Sequence, residues 1–305
     1  AVVAEPIPPL TPHRRRRTPA GRGEAFLVFA GKGGVGKSMV ATNLAVALRM
    51  ATQKATALVD LDLQFGDIGL MLGVEHHSES IEILAHHGEL VDQELLTRVM
   101  VSGPEGVRAL LAPEAPELAE LITPPALRAI LRELRRSVDF MLIDGPAQLN
   151  EQILEVIDIA DHILVVTSFS LTAVKDTRIM ITLLRSLGVD MDRISVILNQ
   201  TRARSTLLRE DVEERLGMRI RTQLPFEHRI VDDAIDRGRP FVVGEPEAEI
   251  TRRVHALAAF LATPVAADHT DGAATNGPAR MRMHPFRRRF GVGRREQPSE
   301  VGRTP

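Results

Sequence analysis

Cysteine is missing from the 305-residue sequence altogether. That absence removes disulfide scaffolds, thiolate-bound zinc, iron–sulfur clusters and thiol nucleophiles together. It fits a reducing compartment without requiring one. No run of about 18 apolar residues occurs, so no membrane-spanning helix is expected. The amino-terminal stretch has arginines but lacks the apolar core of a secretory signal, and cytoplasmic residence follows as the default expectation. Positive charge is lacking where a general polyanion-binding body would need it. The total is −2, with +3 on residues 1–24 and +6 on residues 279–305, so residues 25–278 carry −11. An acidic body between two basic tails argues against broad affinity for nucleic acid.

What is present is an ordinary globular composition, 44% hydrophobic and 26% charged. The chain is long enough for one large α/β domain or two small ones. Residues 1–24 hold prolines and an arginine run without apolar periodicity and read as a flexible leader or linker. The first residue is Ala1, consistent with loss of the initiator or with a fragment whose upstream domain is missing. Residues 264–305 are rich in Gly, Pro, Ala and Arg and read as a disordered basic tail. Between them, residues 25–263 alternate short apolar runs with helical patterns. The runs are Ala25–Ala30, Ala57–Leu61, Val107–Leu111, Phe140–Ile143, His162–Thr167 and Ile194–Leu198. The helical stretches include Met39–Met50, Pro124–Arg136, Glu151–Ala160, Leu171–Leu187 and Thr206–Leu216. Thr123 before Pro124 marks a helix start, and Gly188 and Gly217 mark ends. Strands that are apolar throughout belong to a sheet covered on both faces. The pattern predicts a three-layer, doubly wound, mostly parallel sheet, with its ligand at the carboxyl ends of the strands.

Gly31-Lys32-Gly33-Gly34-Val35-Gly36-Lys37-Ser38 lies between such a strand and a helix. Its glycines let backbone N–H groups turn inward around phosphate oxygens, and the helix that continues through Met39 adds its positive end. Lys37 is placed to reach the β- and γ-phosphates, and the Ser38 hydroxyl to ligate Mg²⁺. The residues also satisfy G-x-G-x-x-G, the dinucleotide pattern, but a dinucleotide loop has no need of Lys and Ser after its third glycine. ATP with magnesium needs both.

Two further strand ends carry carboxylates, Asp60 and Asp62 at the end of the second apolar run and Asp144 after the fourth. Acids in such places, beside a magnesium–triphosphate site, hold metal-bound water or orient the attacking one. The paired histidines, His76-His77 and His86-His87, have no partner at metal-ligand spacing and read as surface residues.

The extra lysine, Lys32, makes the loop K-G-G-V-G-K-[ST], and the sequence here resembles the deviant Walker A ATPases of the MinD/ParA family over about residues 25–262. The resemblance implies slow, partner-stimulated ATP hydrolysis by a dimer formed on ATP binding. It implies that Lys32 crosses to the partner's nucleotide, that Asp62 activates water and that Asp60 supports the metal from behind. Asp144 would hold Mg²⁺ through water, with Gly145 sensing the γ-phosphate through its backbone and residues 144–150 acting as the switch. Asn199 corresponds to the family's adenine-contacting asparagine, and Pro225 and Phe226 to the segment closing over the base. Asp60–Leu70, Ala109–Ile122 and Val165–Arg178 resemble the CpaE/TadZ branch, which implies a role in localising and assembling Flp/tad pili or related secretion machinery, with recruitment to the inner membrane face or a cell pole. A ParA-like DNA-partitioning ATPase and a MinD-like positioning ATPase that meets the membrane through its tail are the alternatives.

Overall fold

The computed structural model describes residues 21–74, 79–146 and 148–263. The expectations for residues 1–20, for His76-His77 and for the tail from residue 264 fall outside these.

Eight strands form one sheet: β1 (Glu24–Phe29), β2 (Thr56–Asp60), β3 (Val101–Ser102), β4 (Arg108–Leu110), β5 (Phe140–Asp144), β6 (His162–Ser168), β7 (Ile194–Asn199) and β8 (Ile220–Leu224). Their order is β3-β4-β2-β5-β1-β6-β7-β8, parallel except for the β3–β4 pair. Successive β1 side chains explain why the run is apolar throughout. Ala25, Leu27 and Phe29 enter one core and Phe26 and Val28 the other, all fully buried. A strand with two covered faces has no polar positions to alternate.

The helices are α1 (Lys37–Thr52), α2 (Ile68–Met71), α3 (Ile81–His87), α4 (Gln93–Val99), α5 (Pro124–Ser137), α6 (Glu151–Ile159), α7 (Leu171–Ser186), α8 (Arg209–Leu216), α9 (His228–Asp236), α10 (Phe241–Gly244) and α11 (Glu249–Ala262). Residues of α1, α10 and α11 fill the core on the Phe26 side, and those of α3, α4, α5 and α6 the core on the Leu27 side. Helices α7 and α8 close over β7 through Val174, Ile181 and Val212. The Thr123 hydroxyl accepts from Ala126 N as the α5 cap, and Gly217 ends α8 in the left-handed region, as their positions predict.

The described body is therefore the three-layer arrangement expected, with β1 at the middle of the sheet. The α8 helix begins at Arg209, three residues later than the sequence pattern suggests, after a loop held by Ser205. Two strands fall outside the apolar runs. Strand β8 lies at the sheet edge with alternating burial, so its Arg221 and Gln223 interrupt the hydrophobic signal, and β3 is only two residues long.

A buried clamp holds the sheet's amino-terminal end. Arg135 of α5 donates to the carbonyls of Gly23 and Ile159 and to the Asp161 carboxylate, which also accepts from Ala25 N. On the far side, Gly73 after α2 and Gly238 after α9 meet backbone to backbone. A Cβ on Gly73 would stand 2.3 Å from the Gly238 carbonyl oxygen, and both glycines have positive φ.

Candidate functional site at the carboxyl edge of the sheet

The loop between β1 and α1 is shaped by glycines with different duties. Gly34 and Gly36 have φ of +75° and +91°, which L side chains rarely adopt. Gly33 and Gly34 face open space, whereas Gly31 presses on α7, where a Cβ would lie 2.6 Å from the Asp176 carbonyl oxygen. Gly36 leaves just enough room for Asn199, whose Nδ2 donates to the Val35 carbonyl at 2.9 Å. Thus the loop is tied from outside by β7 as well as by its own helix. Met39 turns its side chain into the core and lies beneath the loop, its Cε 3.4 Å from where a Cβ on Gly36 would stand.

Lys37 opens α1 and is 8% exposed, with Nζ 4.0 Å from Oδ1 of Asp144 at the end of β5. Both oxygens of Asp144 are buried without a hydrogen-bond partner. Burial pushes its pKa up to about 6; Lys37 and the nearby Ser38 hydroxyl, short of full hydrogen-bond geometry, pull it down, and Asp62 and Asp67 push it up. A buried carboxylate left bare, next to a hydroxyl and an ammonium at a helix start, is the donor set for a magnesium ion beside a phosphate. The residues fit that ion.

Asp60 is the register partner of Asp144 on the adjacent strand β2. Burial first, and then the neighbouring Asp144, hold its carboxyl well above the usual range. Its oxygens are both occupied, Oδ1 accepting from Asp62 N at 3.0 Å and Oδ2 from Ile68 N at 3.2 Å. Asp62 itself is half-buried, and Phe65 beyond it is 74% exposed.

Lys32 lies along its own chain, Nζ donating to Oγ1 of Thr172 at the start of α7. Thr172 was not among the sequence-derived candidates, because a lone threonine in a helix start carries no motif. The Gly145 N–H donates to the Val28 carbonyl at 2.9 Å, continuing the β5–β1 ladder. Packing of Leu27, Phe29 and Ile153 within 3.2 Å of where a Cβ would stand accounts for the glycine.

Asn199 is buried at the end of β7, whereas Pro225 and Phe226 are half-buried after β8, Phe226 lying 5.0 Å from the His228 ring. Their backbones are adjacent, since Gln200 N donates to the Leu224 carbonyl. His86 and His87 are exposed at the end of α3, and no cluster of metal-ligating side chains of three or more occurs among the described residues.

Comparison with known proteins follows the same lines. A family model described as ParA, "NUBPL iron-transfer P-loop NTPase", matches residues 23–262. The septum site-determining protein MinD of Thermotoga maritima is 29% identical over 216 residues, covering 68% of this chain and 78% of that protein. Among solved structures, a ParA family ATPase from Chlorobium tepidum superposes with a TM-score of 0.75 at 21% identity, covering 79% of this chain and 100% of that one. MinD from Pyrococcus horikoshii, complexed with Mg-ADP, gives 0.68 at 24% identity, covering 79% and 96%.

Proposed function

The chain belongs to the ParA family of P-loop NTPases, and from that premise we propose that it is an ATP hydrolase which pairs with a second copy of itself while ATP is held. The observation that carries this reading is the bare, buried Asp144 carboxylate facing Lys37 and Ser38 at the end of the central strands. In this reading Lys37 and the N–H groups of residues 31–39 hold the phosphates. Ser38 and Asp144 would hold Mg²⁺, with Asp60 on the neighbouring strand end. When bound, the ion withdraws charge from the phosphate oxygens. Asp62 aims the attacking water, and Lys32 of each protomer neutralises charge on the partner's transferring phosphoryl group. The Asn199 carboxamide, Pro225 and Phe226 border the adenine. The contact is isologous, so each half-site is completed by the other and turnover is slow until pairing. Calorimetry of the full chain with ATP and magnesium, together with light scattering, tests this. Absence of any adenine-nucleotide affinity would overturn it.

For the cargo, we infer localisation and assembly of Flp/tad-type pili or related secretion machinery, supported by the stretches Asp60–Leu70, Ala109–Ile122 and Val165–Arg178. A MinD-like positioning role is the second reading, favoured by the 29% identity to the Thermotoga maritima protein. No described helix is long and apolar enough to cross a membrane; recruitment to the inner membrane face would fall to the arginine-rich tail, each basic residue contributing about 1 kcal/mol at an anionic surface. A ParA-like role on DNA is disfavoured by the −11 body charge. Flotation with anionic vesicles and salt-dependent DNA binding, each with and without ATP, separate these roles.

A further inference from the structure

Two carboxylates stand opposite each other at the ends of β2 and β5, yet they are in contrary states. Asp144 offers two oxygens without partners, whereas both oxygens of Asp60 are committed to backbone N–H groups. The two donors, Asp62 and Ile68, lie six residues apart and bracket the loop before α2. Leu61 and Leu63 are buried and anchor the near side of that loop, with Leu61 N donating to the Asp144 carbonyl. Phe65 N closes a turn onto the Asp62 carbonyl at 3.2 Å. Gly66 then passes directly over the carboxylate, where a Cβ would stand 2.5 Å from Oδ2 of Asp60 and 2.6 Å from the Ala112 side chain.

We propose that Asp60 is a positioning residue for hydrolysis: it stitches both ends of the 62–68 loop to one buried carboxylate and thereby fixes where Asp62 stands. This rests on the ATPase reading with Asp62 as the group that orients water. The chemistry requires a carboxyl group with two acceptor oxygens. Two N–H donors converge on it, that of Ile68 buried and that of Asp62 half-buried, and the buried one would otherwise be left unsatisfied. An asparagine has one acceptor oxygen and turns its NH₂ toward the second donor, so it can keep only one of the stitches. Gly66 belongs to the same device, because any side chain there would push the loop off the carboxylate. Support of the metal, the role the resemblance implies for Asp60, does not explain why both oxygens face backbone donors or why residue 66 is glycine.

The test uses the full chain with Asp60→Asn and, independently, Gly66→Ala. ATP affinity, kcat, KM, the magnesium concentration for half-maximal activity and amide hydrogen exchange across residues 61–68 are measured. Expected are nucleotide affinity and magnesium midpoint close to wild type, kcat reduced about 10- to 100-fold in both variants by misplacement of Asp62, and faster exchange at the Asp62 and Ile68 amides. A raised magnesium midpoint with unchanged exchange in Asp60→Asn would overturn the proposal and return Asp60 to the metal. Unaltered kcat with a loosened loop would overturn it as well. If Asp60→Asn does not fold, Gly66→Ala carries the same measurements. Wild-type protein without ATPase activity would refute the underlying function, while the exchange data would still read the stitch itself.

Discussion

Lys32 donates its Nζ to Oγ1 of Thr172 at 2.6 Å, so the lysine that distinguishes this phosphate loop rests on the first turn of α7 in its own chain. The bond is at the surface and neutral on the acceptor side, worth about 1 kcal/mol. Such a contact is easily exchanged for a triphosphate carrying several negative charges. The proposed trans contact requires this bond to be given up.

Replacing Lys32 by alanine should leave ATP binding to the single chain intact and abolish ATP-dependent pairing. Light scattering with ATP reads the outcome. Pairing that persists in the variant removes Lys32 from the interface.

Lys37→Ala should weaken magnesium–ATP binding at least about tenfold, or about 1.4 kcal/mol, because the ammonium beside Asp144 is the fixed cation at the helix start. Calorimetry measures it directly. The variant also leaves Asp144 without its neighbouring cation, so a Lys37→Arg control separates lost charge from lost fit. Retained affinity in the alanine variant would take Lys37 out of the phosphate site.

For Asp62→Ala the expected phenotype is a long-lived ATP-bound dimer, with phosphate release slowed about 100-fold or more. Undiminished release would assign the water-orienting role elsewhere.

Asp144 supplies a pH signature. Its folded pKa is raised from 3.8 to about 6 by burial, so the nucleotide-free protein retains a proton that the unfolded chain gives up between those values. Stability should rise as pH falls through about 6, and above it the buried charge costs up to about 3 kcal/mol. Burial lowers the pKa of His255, which acts oppositely, losing stability as pH falls below the ordinary histidine range. Comparison with Asp144→Asn cancels the histidine contribution. The variant should melt higher than wild type at pH 7.5 without nucleotide, and the gap should shrink by about half at pH 5 and close only near the unfolded value of 3.8; parallel melting profiles would count against it.

Arg135→Ala should destabilise the fold by about 3 kcal/mol, since it leaves the buried Asp161 carboxylate without its cation. Thermal unfolding checks this, and a change below 1 kcal/mol would reduce the clamp to a surface ion pair.

The sequence made the central strands readable because β1, β2, β5, β6 and β7 are buried on both faces, and their apolar runs leave no ambiguity. The phosphate loop was equally plain, since its glycines and its Lys37-Ser38 pair are contiguous. Edge strand β8 was not, because Arg221 and Gln223 of its five residues are partly exposed. Contacts made across the fold also escaped. The Asn199–Val35 bond joins residues 164 apart, and Lys32–Thr172 joins residues 140 apart. The ladder bond of the Gly145 N–H to the Val28 carbonyl escaped likewise.

The contact of Gly73 with Gly238 has a reach beyond its size. One glycine ends the segment that carries Asp62, and the other ends the segment that begins at Pro225 and Phe226. With no side chain between them there is no cushion to deform, so the two segments meet backbone on backbone. Neither position tolerates a side chain unless its counterpart yields.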